Sequence, residues 1–81
     1  MILHRHWLEN ELTQDELNLL IQIVQHESQM NVDIDVLQCV RIPILAQKLQ
    51  QAIQQWITEE QKPTYEKLRS KLVDFTNLQL Q

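Results

Sequence analysis

The chain has 81 residues, 43% of them hydrophobic and 22% charged, with a formal net charge of −4. This length fits one small domain over residues 1–81, and the apolar content is typical of a folded chain rather than a disordered one. The acidic balance disfavours nucleic-acid binding, which needs a basic face. No apolar run reaches the roughly 18 residues that span a bilayer, so no membrane span is expected.

The sequence contains no glycine and a single cysteine, Cys39. Without glycine the chain cannot build phosphate-cradling loops or the strained elbows that carry catalytic nucleophiles. One cysteine cannot form an intramolecular disulfide, and the first residues (MILHRHWLENEL) lack the continuous apolar stretch of a signal peptide. We therefore expect an all-α protein in the cytoplasm that is not an enzyme.

Apolar residues at helical spacing predict five helices, at about 2–11, 14–28, 33–40, 43–58 and 64–76. The second begins with Thr13-Gln-Asp-Glu16, the pattern of a capping box. The stripe that it is predicted to bury consists of Leu17, Leu20, Ile21 and Val24. Leu19 and Ile23 lie outside the centre of that stripe, which indicates a helix wedged between neighbours or one that carries a contact surface.

Residues 31–41 fit two interpretations, because apolar and polar residues alternate from Val32 to Val36 as they do in a strand. No second stretch offers a partner strand, and an isolated strand would leave its backbone groups unpaired. We therefore favour a short helix that is capped by Asp33 or Asp35.

Two prolines mark the last two helices. Pro43 lacks an amide donor and fits the first turn of the fourth helix, and the apolar stripe of that helix is Ile42, Leu45, Leu49, Ala52, Ile53 and Trp56. Pro63 disfavours helical geometry in the residue before it, so the last helix is expected to begin at Pro63 or Thr64. Its stripe is Tyr65, Leu68, Leu72 and Phe75. A final turn carrying Leu78 and Leu80 would make a sixth helix, so we expect a compact antiparallel bundle of five to six helices.

Charge is divided unevenly, because residues 1–40 hold one basic residue and seven acids, whereas residues 41–81 hold six basic residues and four acids. The predicted acidic partner-binding surface is Glu9, Glu11, Asp15, Glu16, Asp33 and Asp35. The predicted basic one is Lys62, Lys67, Arg69 and Lys71. Surfaces of this kind attract each other between copies, and a head-to-tail contact builds an open assembly. Ordinary solvated charge is the alternative.

The tryptophans, histidines and cysteine are explained by packing rather than by a catalytic or metal site. Trp56 lies on an apolar stripe and is expected in the core. Trp7 has two interpretations that are about equally good: it packs in the core, or it is exposed and anchors a partner. His4 and His6 do not share a helix face, and closed zinc sites usually take four good ligands. We assign no catalytic, cofactor or metal residue, and we predict that Cys39 packs in or near the core.

Three stretches resemble the second half of a death-fold domain: the helix start Asp33-Ile34-Asp35, the helix end LQQAIQQWI, and PTYEKL followed by Leu72. The similarity covers residues 33–78 and is to the death-domain or CARD type, or to a bacterial death-like form. It implies a six-helix antiparallel bundle that does no chemistry. It also implies an adaptor that oligomerises with copies of its own kind in immune or cell-death signalling.

We therefore expect a protein-interaction module that acts by homotypic association, as a homo-oligomer or in a hetero-complex. The alternative is a small stand-alone regulator, such as a phage- or plasmid-type inhibitor or a secretion chaperone. That regulator would bind a different protein through an apolar helix face. A helix-turn-helix DNA binder would have to present Lys67, Arg69 and Lys71 to a groove, and the overall acidity disfavours it.

Overall fold

The computed structural model describes residues 4–26 and 31–80, with side chains as far as Asn77. Within these ranges the helices are α1 (Arg5–Glu11), α2 (Gln14–Gln25), α3 (Ile34–Leu37), α4 (Ile42–Gln55) and α5 (Lys62–Leu80). No strand occurs in this part of the chain, and none of its helices is both long enough and apolar enough to cross a membrane. The predicted all-α bundle and its five helices are confirmed.

Short-range signals set the beginnings of α2 and α3. The Glu16 amide donates to the Thr13 hydroxyl at 3.2 Å, and the Thr13 amide donates to the Glu16 carboxylate at 2.9 Å, so the capping box is confirmed. The Val36 amide donates to the Asp33 carboxylate at 3.0 Å, which caps α3. The predicted helical residues 2–3 and 27–28 lie outside the described ranges.

Both prolines lie in first turns, and each helix begins one residue before its proline. α4 begins at Ile42, so Pro43 lies where the missing amide would have no partner within the helix. α5 begins at Lys62, before the predicted start, because Thr58 and Gln61 form a second reciprocal pair of hydrogen bonds, at 3.1 and 3.3 Å. α5 then continues unbroken to Leu80 and takes up the residues of the proposed sixth helix.

α2 lies at the centre of the bundle and contacts α3, α4 and α5. Its buried apolar residues are Leu19, Leu20, Ile23 and Val24, whereas Leu17 and Ile21 are only partly buried. The predicted stripe was therefore centred wrongly. A helix covered on two sides buries a wider face than one amphipathic stripe, and this agrees with the expectation that α2 is wedged between neighbours.

α5 packs against α2 through a face that is closed by aromatic contacts at its far end. Leu68 is fully buried, and the ring of Phe75 lies 4.9 Å from that of half-buried Trp7. At the opposite end of α2, His26 stacks on Trp56 at 4.7 Å, so Trp56 is half-buried against the core rather than enclosed by it.

Cys39 is exposed, so its predicted place in or near the core is wrong. It lies in the turn after α3, where the amide of Cys39 donates to the Val36 carbonyl at 2.9 Å. Leu37, the last residue of α3, is fully buried instead. The small size and apolar character of Cys39 do not determine which way its side chain points, because the short α3 turns only one side toward the core.

Candidate protein-binding groove

α4 and α5 both pack on α2 but leave an open groove of about 710 Å³ between them. The apolar residues that line it are Ile42, Leu45, Ala46, Leu49 and Ile53 from α4, and Tyr65, Leu72 and Val73 from α5. Among these, Leu45 and Leu49 are buried, whereas Val73 is 49% exposed. The groove therefore has a floor continuous with the core and an apolar side chain at its rim.

Polar side chains complete the rim of the groove: Gln50 and Gln54 from α4, and Glu66, Arg69, Thr76 and Asn77 from α5. Glu66 and Arg69 are the only charged residues among those that line it, and both are exposed. An apolar floor with a few polar groups at its edge is typical of binding sites.

Tyr65 fixes the spacing of α4 and α5 at one end of the groove. Its side chain is 3% exposed, and its hydroxyl donates to the Leu49 carbonyl oxygen at 3.0 Å. Burial raises the pKa of Tyr65, which keeps the phenol protonated and able to donate. The groove is thus built on a fixed contact between its two helices.

A second polar cluster ties α5 to the α1–α2 connection. The Lys71 ammonium donates to the Glu16 carboxylate at 2.7 Å and to the Glu11 backbone carbonyl at 2.8 Å. Glu16 is 2% exposed, and its other carboxylate oxygen has no hydrogen-bond partner among the described residues. Lys71 therefore holds together residues from α1, α2 and α5.

The charge state of Glu16 follows from these contacts. Burial raises the pKa of this carboxyl group, but the hydrogen bonds from Lys71 and Thr13 together outweigh burial. The net result is a pKa below the ordinary value for glutamate. Glu16 is accordingly a buried carboxylate whose charge is compensated inside the molecule.

The prediction that Glu16 and Lys71 belong to separate acidic and basic surfaces is wrong, because the two side chains pair with each other. Other predicted surface residues also pair within the chain. Arg5 contacts Glu9 at 3.0 Å and Asp35 at 2.9 Å. Lys62 contacts Glu59 at 2.8 Å. Of these ion pairs, Glu16–Lys71 joins the two halves of the sequence, and the others lie within one half. All of them reduce the charge that is left to pair between copies.

The remaining residues predicted to bind a partner lie in different places. Glu11, Asp15, Asp33 and Lys67 are exposed and do not line the groove. Arg69 is exposed and lines it, while Trp7 is half-buried against Phe75. Sequence analysis thus identified one residue of the groove as a partner-binding residue. The other groove residues were not identified. The sequence signal that could have indicated them is Val73, an apolar residue that lies off the predicted stripe of α5.

No protein-family model, curated protein or solved structure matches the chain. Among the described residues, no three His, Cys, Asp or Glu side chains lie close enough together to hold a metal ion.

Proposed function

We propose that the chain is a non-enzymatic protein-interaction module that receives a helix of its partner in the groove between α4 and α5. The observation that supports this most strongly is the groove itself, an open apolar trough of about 710 Å³ that runs between two helices. Helix-in-groove binding places the apolar face of an amphipathic helix in such a trough.

The lining residues specify the kind of helix that fits. Ile42, Ile53 and Val73 leave apolar surface at the groove, which favours a partner helix with apolar side chains at positions i, i+3, i+4 and i+7. Gln50 and Gln54 each offer a donor and an acceptor at the rim. They suit polar residues that flank the apolar face of the partner.

The biological setting that we propose follows from the death-fold resemblance. An all-α bundle with a protein-binding groove is compatible with an adaptor that associates homotypically in immune or cell-death signalling. The groove supports equally a small regulator that binds a different protein through an apolar surface. Assembly through the predicted acidic and basic surfaces is less well supported, because Glu16 and Lys71 neutralise each other within the chain.

Selection of helical peptides from a displayed random library tests the proposed groove. We expect enrichment of amphipathic sequences whose binding weakens by about 10-fold or more, equivalent to about 1.4 kcal/mol, in Val73→Lys. The matched control is Asp74→Lys, which introduces the same side chain one position away, outside the groove lining. Circular dichroism establishes that both variants keep the helical content of the parent protein.

Two results would contradict the proposal. One is that no peptide is enriched on the folded parent protein. The other is that the enriched peptides bind Val73→Lys as tightly as they bind Asp74→Lys. In either case the groove is not a docking surface for a helix.

A further inference from the structure

We propose that a second copy of this chain occupies the groove, in a closed dimer with a twofold axis that passes close to Glu66 and Arg69. This inference rests on the proposed function, because it names the partner of the same groove. In such a dimer each copy presents the exposed face of its α5 helix to the groove of the other.

Two opposite charges lie at the groove on α5. Glu66 and Arg69 have opposite signs, lie three positions apart on one face of α5, and are both exposed. No ion pair within the described residues engages either of them. A twofold axis between these two positions sets each charge against its opposite in the second copy, and it does so twice.

The rest of the rim consists of side chains that can pair with copies of themselves. Gln50, Gln54 and Asn77 carry amide groups, each with donors and an acceptor, so each can pair with an identical group. A rim of lysines or of carboxylates would repel its own copy. The rim of this groove is instead complementary to itself, as an isologous contact requires.

An exposed apolar side chain lies beside these charges. Among the described residues, the large hydrophobic side chains that are substantially exposed are Ile44, at 46%, and Val73, at 49%. Val73 lies in the groove lining, beside the charged pair on α5. Association through this face removes Val73 from water next to the paired charges of Glu66 and Arg69.

Charge reversal tests the dimer without removing any apolar contact. In Glu66→Lys and in Arg69→Glu, each twofold-related pair becomes a pair of like charges, so we expect the dimer to weaken by at least about 10-fold. Sedimentation equilibrium over a range of concentrations measures this. The controls are Lys67→Glu and Asp74→Lys, which reverse exposed charges on α5 outside the groove lining and should leave the association constant unchanged.

Mixing the two reversed variants is the decisive step. Lys at position 66 of one variant then faces Glu at position 69 of the other, while the native Arg69 faces the native Glu66. We expect the equimolar mixture to form a heterodimer, and we expect the double variant E66K/R69E to form a homodimer again. The peptides selected on the groove should dissociate both species.

The outcomes separate this inference from the proposed function. A parent protein that stays monomeric to millimolar concentration, yet binds helical peptides in a Val73-dependent manner, overturns the dimer and leaves the groove intact. A mixture that fails to associate although the parent protein dimerises overturns the twofold arrangement. A dimer that is unaffected by Val73→Lys and by both charge reversals overturns the groove as its interface.

Discussion

The two faces of α5 differ in how completely the rest of the chain covers them. Leu68 and Phe75 face the core, do not line the groove and are at most 3% exposed. Glu66, Arg69 and Val73 lie on the other side of the same helix and are exposed. The covered face holds the bundle together, and the exposed residues line the groove. Stability and the proposed binding therefore depend on different residues of one helix.

The uncovered face is held in place by two polar contacts. Tyr65 binds the backbone of α4 through a buried hydrogen bond, and Lys71 binds Glu16 and the end of α1. These contacts lie six residues apart and fix α5 on both of its neighbours. The groove between α4 and α5 is therefore a fixed feature of the packing. A preformed groove lowers the entropic cost of the proposed binding, because it does not have to become ordered first.

The comparison is tested most strongly by truncating one residue on each face of α5. Leu68 is fully buried, so Leu68→Ala should lower the free energy of unfolding by about 2–5 kcal/mol, through lost burial and the cavity left behind. Val73→Ala removes a half-exposed side chain and should change it by less than about 0.5 kcal/mol. Urea denaturation followed by circular dichroism measures both, and equal losses would show that the two faces are not distinct.

Replacing Lys71 with methionine tests the contact that fixes α5 on α2. The substitution leaves the buried Glu16 carboxylate without its cation. Breaking a fully buried pair costs about 3–5 kcal/mol. The loss here should be smaller, because the Lys71 side chain is 35% exposed and solvent screens part of the interaction.

The contribution of Glu16 to the free energy of unfolding depends on pH with a definite sign. The pKa of Glu16 is lowered in the folded state, so its contribution to stability is present above the unfolded pKa and is lost as pH falls through the folded one. The difference in free energy of unfolding between the parent protein and Lys71→Met should therefore be largest near neutral pH. It should shrink when the pH falls below the usual pKa range of carboxyl groups. Denaturation at several pH values checks this, and a difference that grows in acid would contradict the assigned pair.

The parts of the fold that sequence predicted correctly depend on residues close together in the chain. The Thr13–Glu16 capping box, the Asp33 cap and the place of Pro43 in a first turn each involve residues within four positions of one another. Such signals can be interpreted before the tertiary packing is known. The Thr58–Gln61 pair has the same short-range pattern, so it is also a signal that residues close together in the chain provide.

The features that the sequence did not predict depend on residues that are far apart in the chain. Glu16 and Lys71 are separated by 55 positions, and their charges were assigned to different surfaces because nothing local to either indicates the other. The groove likewise arises from the way α4 and α5 pack on α2, which involves residues far apart in the chain. The death-fold resemblance and homotypic association remain predictions.

The smallest expected effects come from the two threonine caps, which compare a cap linked to buried residues with one in solvent. Thr13→Ala removes the acceptor of the Glu16 amide and loosens the residue that binds Lys71, so it should cost about 1–2 kcal/mol. Thr58→Ala removes the equivalent acceptor of the Gln61 amide on an exposed turn and should cost about 0.5–1 kcal/mol. Serine at each position keeps the hydroxyl and is the control for the loss of the methyl group. Urea denaturation with unchanged slopes gives the comparison, and a larger loss at Thr58 than at Thr13 would contradict the link between the first cap and the Lys71 contact.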